Sequence, residues 1–251
     1  ARWADQRLYR LDPGTDAAPE PITPEPTVAR GLRYSEPTWL GDGWLLCVRE
    51  SHEPDAVAAH GEAVNELVAL PLDGRAVADP SLVRVLVTGP DFVHAPAVRR
   101  STPATSGDPD PAPPVESVAS GTAPIEAGPA VAADGGVATA GAAKGPATPT
   151  VTPDDSRAGE VAWVSWDHPR MPWDGTVLER GVLRWGPDGP ESIDDREVVA
   201  GGEAESVVQP GFLADGTLLF CTYRTGWWNP WRQAAPGAPV EPVLADGGVE
   251  A

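Results

Sequence analysis

A short run around a proline, a tight turn and then a near-continuous apolar run recur three times in this chain. That recurrence limits the fold more than any single motif. The three stretches are "EPTWLGDGWLLCVRE" (36–50), "APAVRR" joined to "GEVAWVSWD" (95–100 and 159–167), and "QPGFLADGTLLFCTYR" (209–224). Their prolines are Pro37, Pro96 and Pro210. In the first and third, Asp42-Gly43 and Asp215-Gly216 separate the proline segment from the apolar run. Asp-Gly between two such runs signals a hairpin, because it supplies the positive φ angles that a tight turn requires.

The spacing locates an interruption. Pro37 and Pro96 are 59 positions apart and Pro96 and Pro210 are 114 apart, an excess of 55. Positions 101–157 contain no aromatic residue and are built from Ala, Gly, Pro, Ser, Thr and Asp. They read as an insertion in the turn of the second hairpin. Their composition cannot repay the entropy of ordering, so this segment is expected to be disordered. Each repeat continues into two further strands: "NELVALPL" and "VRVLVTG", then "VLERGVLRW" and "REVVAGG", then "WRQAAP" and "EPVLADGG". At the start, "RLYRLDPG" and "PEPIT" supply the last two strands of an earlier unit. Four short strands per unit and about three and a half units describe an all-β fold, a partial β-propeller. Its blades fall in two parts, 1–100 and 158–251, around the insertion. A β-sandwich also uses many short strands, but it requires no fixed period. Thirty prolines and 27 glycines leave no window of sustained helical periodicity.

Composition narrows the function classes. Eighteen basic against 37 acidic residues give a net charge of −19, which repels phosphate backbones and argues against a nucleic-acid partner. No apolar run reaches the roughly 20 residues of a membrane span, and no leader pattern is visible. The expectation is a cytoplasmic protein without a membrane partner. Cys47 and Cys221 lie in apolar runs and are expected to be buried free thiols.

Aromatic, proline-bounded segments follow the second strand of each repeat: "ESHEP" (50–54), "DHPRMPWDG" (167–175) and "YRTGWWNP" (223–230). In a propeller these turns share one face, so His52, His168, Trp173, Trp227 and Trp228 should meet along one rim. Two roles are open for the tryptophans: wedges that fix blade packing, or the border of a binding surface. The runs "VAWVSWDHPRMPWDGTVL" and "DGTLLFCTYRTGWWNPWR" resemble the propeller domain of the prolyl oligopeptidase family of serine peptidases. The likeness is to bacterial members described as dipeptidyl aminopeptidases or acylaminoacyl peptidases. It covers nearly all of the chain outside the insertion. Tyr223 stands where such propellers carry an aspartate. Pro230 removes a donor from its strand, so pairing there is expected to suffer.

The resemblance implies hydrolysis of short peptides by a Ser-Asp-His triad on an α/β-hydrolase domain that follows the propeller. The Gly-x-Ser-x-Gly elbow of such a domain does not occur in these 251 residues, so no catalytic residue is assigned. The implied role is to filter substrates by size. A free-standing binding propeller and a truncated gene product are the alternatives. Family propellers also bind a substrate's free amino terminus through glutamates, which makes Glu53 and Glu62 rim candidates beside His168 and the three tryptophans. "SHEPDAVAAHGE" (51–62) matches no compact metal motif. It reads as a solvated loop, and no metal or other cofactor is expected.

Overall fold

The structure, a computed structural model, describes residues 1–100 and 157–244. The chain divides into one unit formed by Ala1–Pro103 with Asp154–Ala251 and a second, Ala104–Pro153, outside the described residues. The disorder expected for 101–157 therefore lies, apart from Arg157, outside what is described.

In the first unit the repeats become sheets. A two-stranded piece, β1 (Tyr9–Arg10) and β2 (Glu20–Pro21), precedes three antiparallel four-stranded meanders. The first comprises β3 (Leu32–Gly41), β4 (Trp44–Ser51), β5 (Val64–Pro71) and β6 (Arg84–Val87). The second comprises β7 (Phe92–Arg100), β8 (Ala158–Trp166), β9 (Val177–Gly186) and β10 (Gly189–Gly201). The third comprises β11 (Val207–Phe212), β12 (Leu218–Thr222), β13 (Asn229–Gln233) and β14 (Val240–Pro242). First strands neighbour first strands, β3 beside β7 and β7 beside β11, and β6 lies beside β10. This is blade stacking, and the fold is a partial β-propeller. The insertion leaves from the β7–β8 hairpin, whose last described pair is Arg100 opposite Ala158.

The proline of each repeat marks a bulge. Glu36, Ala95 and Gln209, the residues before the three prolines, have φ of 55°, 52° and 56°. At each point two residues of the first strand oppose one of the second. The flanking pairs are Ser35↔Val48 and Thr38↔Leu46, His94↔Val164 and Ala97↔Ala162, and Val208↔Cys221 and Gly211↔Leu219. The residues opposite the bulges are Cys47, Trp163 and Phe220, all fully buried. Because side chains alternate, these three face the preceding sheet, while Leu46 with Val48, and Ala162 with Val164, face the following one. The apolar clusters follow this rule. Cys47 packs with Leu8 and Ile22, Trp163 with Leu46 and Val48, and Phe220 with Ala162 and Val164.

Polar ties cross the same seams. Arg180 on β9, 1% exposed, donates to Glu160 on β8 at 2.6 Å and to Gln233 on β13 at 2.8 Å. Arg99 completes the Glu160 carboxylate at 3.2 Å. At the first strands, the Ala95 N–H donates to Glu36 at 2.6 Å, and His94 Nδ1 lies 2.5 Å from the same carboxylate.

Several local expectations need correction. Residues 54–60, read as loop, form the helix α1 (Pro54–His60), with Pro54 at its start, Asp55 in its first turn and left-handed Gly61 behind it. Of the two Asp-Gly turns between first and second strands, the first is the tight one, with Asp42 and Gly43 at φ 51° and 75°. The Asp215-Gly216 turn is wider, closed by Leu213 N–H to Thr217 O at 2.9 Å. Pro230 does not weaken its strand. β13 pairs throughout, Cys221 lies opposite Pro230, and the Pro230 carbonyl accepts from Val243 at 3.0 Å. Cys47 is a buried free thiol, with desolvation pushing it up to about 12. Cys221 is free but only half-buried.

Two stability predictions follow from the seams. A Cβ on Gly189 (φ 125°) would sit 2.2 Å from the Trp44 ring. Gly189→Ala should therefore cost about 1–3 kcal/mol in denaturant unfolding, the usual penalty of overpacking. The second concerns pH. Burial opposes ionisation of Glu36, but hydrogen bonds from His94 and Ala95 outweigh it and hold the carboxyl below its usual range. The bond to Glu36 raises His94. The histidine's contribution is present below its unfolded pKa of about 6.5 and is lost as pH rises through the raised folded value. The carboxylate's contribution is lost as pH falls below its own unfolded range. Melting at pH 6 and 8 should show an alkaline loss that His94→Gln removes.

Candidate functional site: the rim formed by the second-to-third strand connections

Each blade turns from its second to its third strand through one of the aromatic segments. In the first blade this connection carries α1. Glu53 stands at the N-cap position of α1 but makes no side-chain bond to the helix; its carboxylate accepts instead from the Thr27 N–H at 3.0 Å and from the Thr27 hydroxyl. The same carboxylate packs over Gly31, where a Cβ would meet Glu53 Oε1 at 2.2 Å. Glu53 is thus committed to holding the 25–31 segment. His52 pairs with Glu50, and its N–H donates to the Gly31 carbonyl. Glu62, just past α1, is exposed, and its Oε2 lies 3.6 Å from His168 Nε2 of the second blade.

The second connection, 167–176, is held by its own hydrogen bonds and by the segment before β11. Met171 N–H donates to Asp174 Oδ2 at 2.9 Å, and Asp174 N–H returns to the Met171 carbonyl at 2.9 Å. Arg170 reaches Glu203 at 2.5 Å, and the Ser206 hydroxyl donates to the Pro172 carbonyl. A Cβ on Gly175 would lie 2.3 Å from the Gly202 carbonyl. Glycine at the end of "PWDG" is therefore required by close backbone approach. Thr176 then clips the following blade, accepting from the Val207 N–H at 2.7 Å and donating to its carbonyl at 2.9 Å. The loop is a rigid platform.

The third connection is joined to the second by Tyr223, whose hydroxyl lies 3.4 Å and 3.3 Å from the carbonyls of Trp173 and Asp174. The Trp228 ring packs edge-on against Tyr223 at 5.2 Å. Buried Asn229 holds the turn through Thr225 and the Trp227 carbonyl. Arg224 is fixed by Glu205 at 2.8 Å and lies over the Trp231 ring.

Trp173, Trp227 and Trp228 remain 61%, 49% and 50% exposed, with Met171 exposed beside Trp173 in the chain. They are not inter-blade wedges; Trp44 and Trp163 take that position. The rim brings together Glu62 with His168, and Trp173 with Tyr223 and Trp228. Glu53 and His52 are engaged with other partners. Two members were not singled out from the sequence as rim residues. Asp91, between β6 and β7, gives its carboxylate Oδ2 to the His168 N–H at 2.8 Å. Tyr223 stood out only as a departure from a family pattern, and its hydroxyl turns out to link two blades. Among the described residues, no helix is long and apolar enough to cross a membrane.

No family model matches this chain, and no curated protein sequence does. Solved structures do. A puromycin-hydrolysing peptidase of Mycobacterium tuberculosis is 29% identical with a TM-score of 0.64 over 96% of this chain. A puromycin hydrolase is 28% identical with a TM-score of 0.62, again over 96%. A mutant puromycin hydrolase complexed with PGG is 29% identical over the same share, with a TM-score of 0.62. The chain spans 28%, 27% and 27% of the lengths of these three.

The exposure pattern gives a direct optical check. Acrylamide should quench a large part of the tryptophan emission; Trp3, near the chain start, is the most exposed at 79%, so replacing Trp3, Trp173, Trp227 and Trp228 together by Phe should remove most of that accessible fraction. The residual emission, from buried tryptophans such as Trp44 and Trp163, should resist quenching.

Proposed function

We propose, from the premise that this chain is a partial propeller domain of the kind found in prolyl-oligopeptidase-family peptidases, that it is the non-catalytic propeller portion of such a serine peptidase. The observation that carries this reading is the match itself, which takes up 96% of this chain but 28% of a puromycin-hydrolysing peptidase. A Gly-x-Ser-x-Gly elbow is absent from the 251 residues. Bond cleavage belongs, in this reading, to an α/β-hydrolase domain outside them, with the serine exposed on its strand-to-helix turn. The propeller restricts access, admitting short peptides and small amides such as puromycin and excluding folded proteins.

Within that role the exposed rim borders the substrate cavity. Three half-exposed tryptophans on loops pinned by internal hydrogen bonds offer large apolar contact with little entropy left to lose. Of the two candidate glutamates, Glu53 is tied to Thr27, whereas Glu62 stands exposed on the rim beside His168. The dipeptidyl aminopeptidase or acylaminoacyl peptidase type, and a cytoplasmic setting, accompany the proposal.

Assayed alone, the chain should release nothing from chromogenic aminoacyl or dipeptidyl amides. Hydrolysis by these 251 residues would overturn the assignment. In a full-length peptidase carrying this propeller, replacing Trp173 and Trp227 together by Ala should raise KM about tenfold, roughly 1.4 kcal/mol of lost contact. With kcat unchanged, the rim acts in binding; KM unaltered by the pair would remove the rim from the substrate path.

A further inference from the structure

We infer that Glu62, Asp91 and His168 form a binding site for a divalent transition-metal cation of the Zn2+ type, clamping the rim of the first blade to that of the second. The three residues come from separate connections: one after α1, one between β6 and β7, one after β8. Each offers a ligand atom, and the three atoms lie within 4.8 Å of one another. His168 Nε2 and Glu62 Oε2 are 3.6 Å apart. Ligand atoms on a tetrahedral zinc, with bonds near 2.0–2.2 Å, are separated by roughly 3.3–3.5 Å. That pair is therefore almost at coordination spacing. Asp91 offers its ligand atom within 4.8 Å of both, and the exposed Glu62 and His168 side chains have the freedom to close up on it.

The surroundings support coordination over a simple ion pair. Asp91 is fixed before any ligand arrives: its carbonyl accepts from Asn65 Nδ2 at 2.8 Å, its N–H donates to Asp167 Oδ1 at 2.9 Å, and its Oδ2 accepts from the His168 N–H. The His168 ring is set edge-on to Phe92 at 4.9 Å, and Phe92 stacks on Trp166. Such outer contacts orient ligands at metal sites. Among the described residues, no Arg or Lys lies within ion-pair distance of Glu62 or Asp91, and Glu62 is paired with His168 alone. Two carboxylates in a chain of charge −19 are thus left for a cation to neutralise. A cavity of about 110 Å3 lined by His60, Glu62, Asn65 and Asp91 opens beside them, room for water to complete the coordination. One imidazole with two carboxylates suits Zn2+ or its first-row neighbours, whereas Ca2+ and Mg2+ call for oxygen ligands alone.

The inference stands apart from the peptidase reading and is tested on the 251-residue chain, free of any histidine tag. Zn2+ is titrated calorimetrically and by competition with a chromophoric chelator. One equivalent should bind. His168→Gln and Asp91→Asn should each weaken binding at least tenfold, with far-UV circular dichroism unchanged. His52→Gln, which alters a histidine outside the cluster, should bind as the parent chain does. Zn2+ should also raise the melting temperature of the parent chain and of His52→Gln, and not that of His168→Gln. No stoichiometric uptake, or undiminished affinity in His168→Gln with the fold intact, overturns the site.

Discussion

Each blade depends on a mismatch of two residues against one. Opposite Cys47, Trp163 and Phe220 the first strand spends an extra residue, and it does so through a non-glycine in left-handed backbone followed by proline. Such a conformation costs of order 1–3 kcal/mol wherever it occurs, so it persists only because the surroundings fix it. Here the return is alignment. Proline has no N–H to leave unpaired at a point where the ladder is already broken. The second strand keeps its alternation, so the residue opposite the bulge enters the preceding sheet while its neighbours enter the next. Shifting any one bulge by a residue would exchange those two faces and present the wrong surface to both neighbouring blades.

Burial alone would let flat sheets slide over one another, and the polar ties remove that freedom. Near the first strands, Glu36 joins His94 and Ala95 across one seam. Across the next, buried Arg180 bridges Glu160 and Gln233. A buried ion pair of this kind adds little net stability against a well-packed apolar alternative, but breaking one partner is expensive, about 3–5 kcal/mol. Its value lies in fixing one relative position of the sheets. On the rim, Thr176 and Tyr223 do the same for the loops, and this is why large aromatic rings can stand exposed without collapsing onto the blade faces.

Much of this was legible in the chain itself. The repeated prolines and Asp-Gly turns located three hairpins, and the excess spacing identified the hairpin that holds the insertion, because strand pairing is a local and periodic demand. In the sequence the proline marks the start of a repeat and not a bulge, since nothing in "EPT" or "QPG" announces left-handed backbone. The helix α1 has Pro54, Asp55 and Gly61 at its ends, but its seven residues carry too little periodicity to stand out from a loop. At the rim, sequence order points to the tryptophans but not to their exposure, and it does not distinguish Glu53, whose carboxylate accepts from Thr27, from Glu62. Asp91 was invisible, because it joins His168 from 77 positions away. Residues assembled from separate connections leave no spacing to read.

One hairpin, β7–β8, parts at Arg100 and Ala158 and resumes its pairing after 57 intervening residues, 101–157, with a single register shift between Arg99 and Arg100 at the junction. Polymer statistics explain why a blade can accept this. The entropy of bringing two ends together grows with the logarithm of the connecting length, so lengthening a five-residue turn to 57 adds only about 2 kcal/mol. Meanwhile Trp163 stays sealed in its cluster, and the Arg157 guanidinium anchors the returning chain to Asp42 of the adjacent turn. The margin of that hairpin is thus a place where added length need not disturb the blade, provided both ends of the added chain stay on the solvent side of the seam.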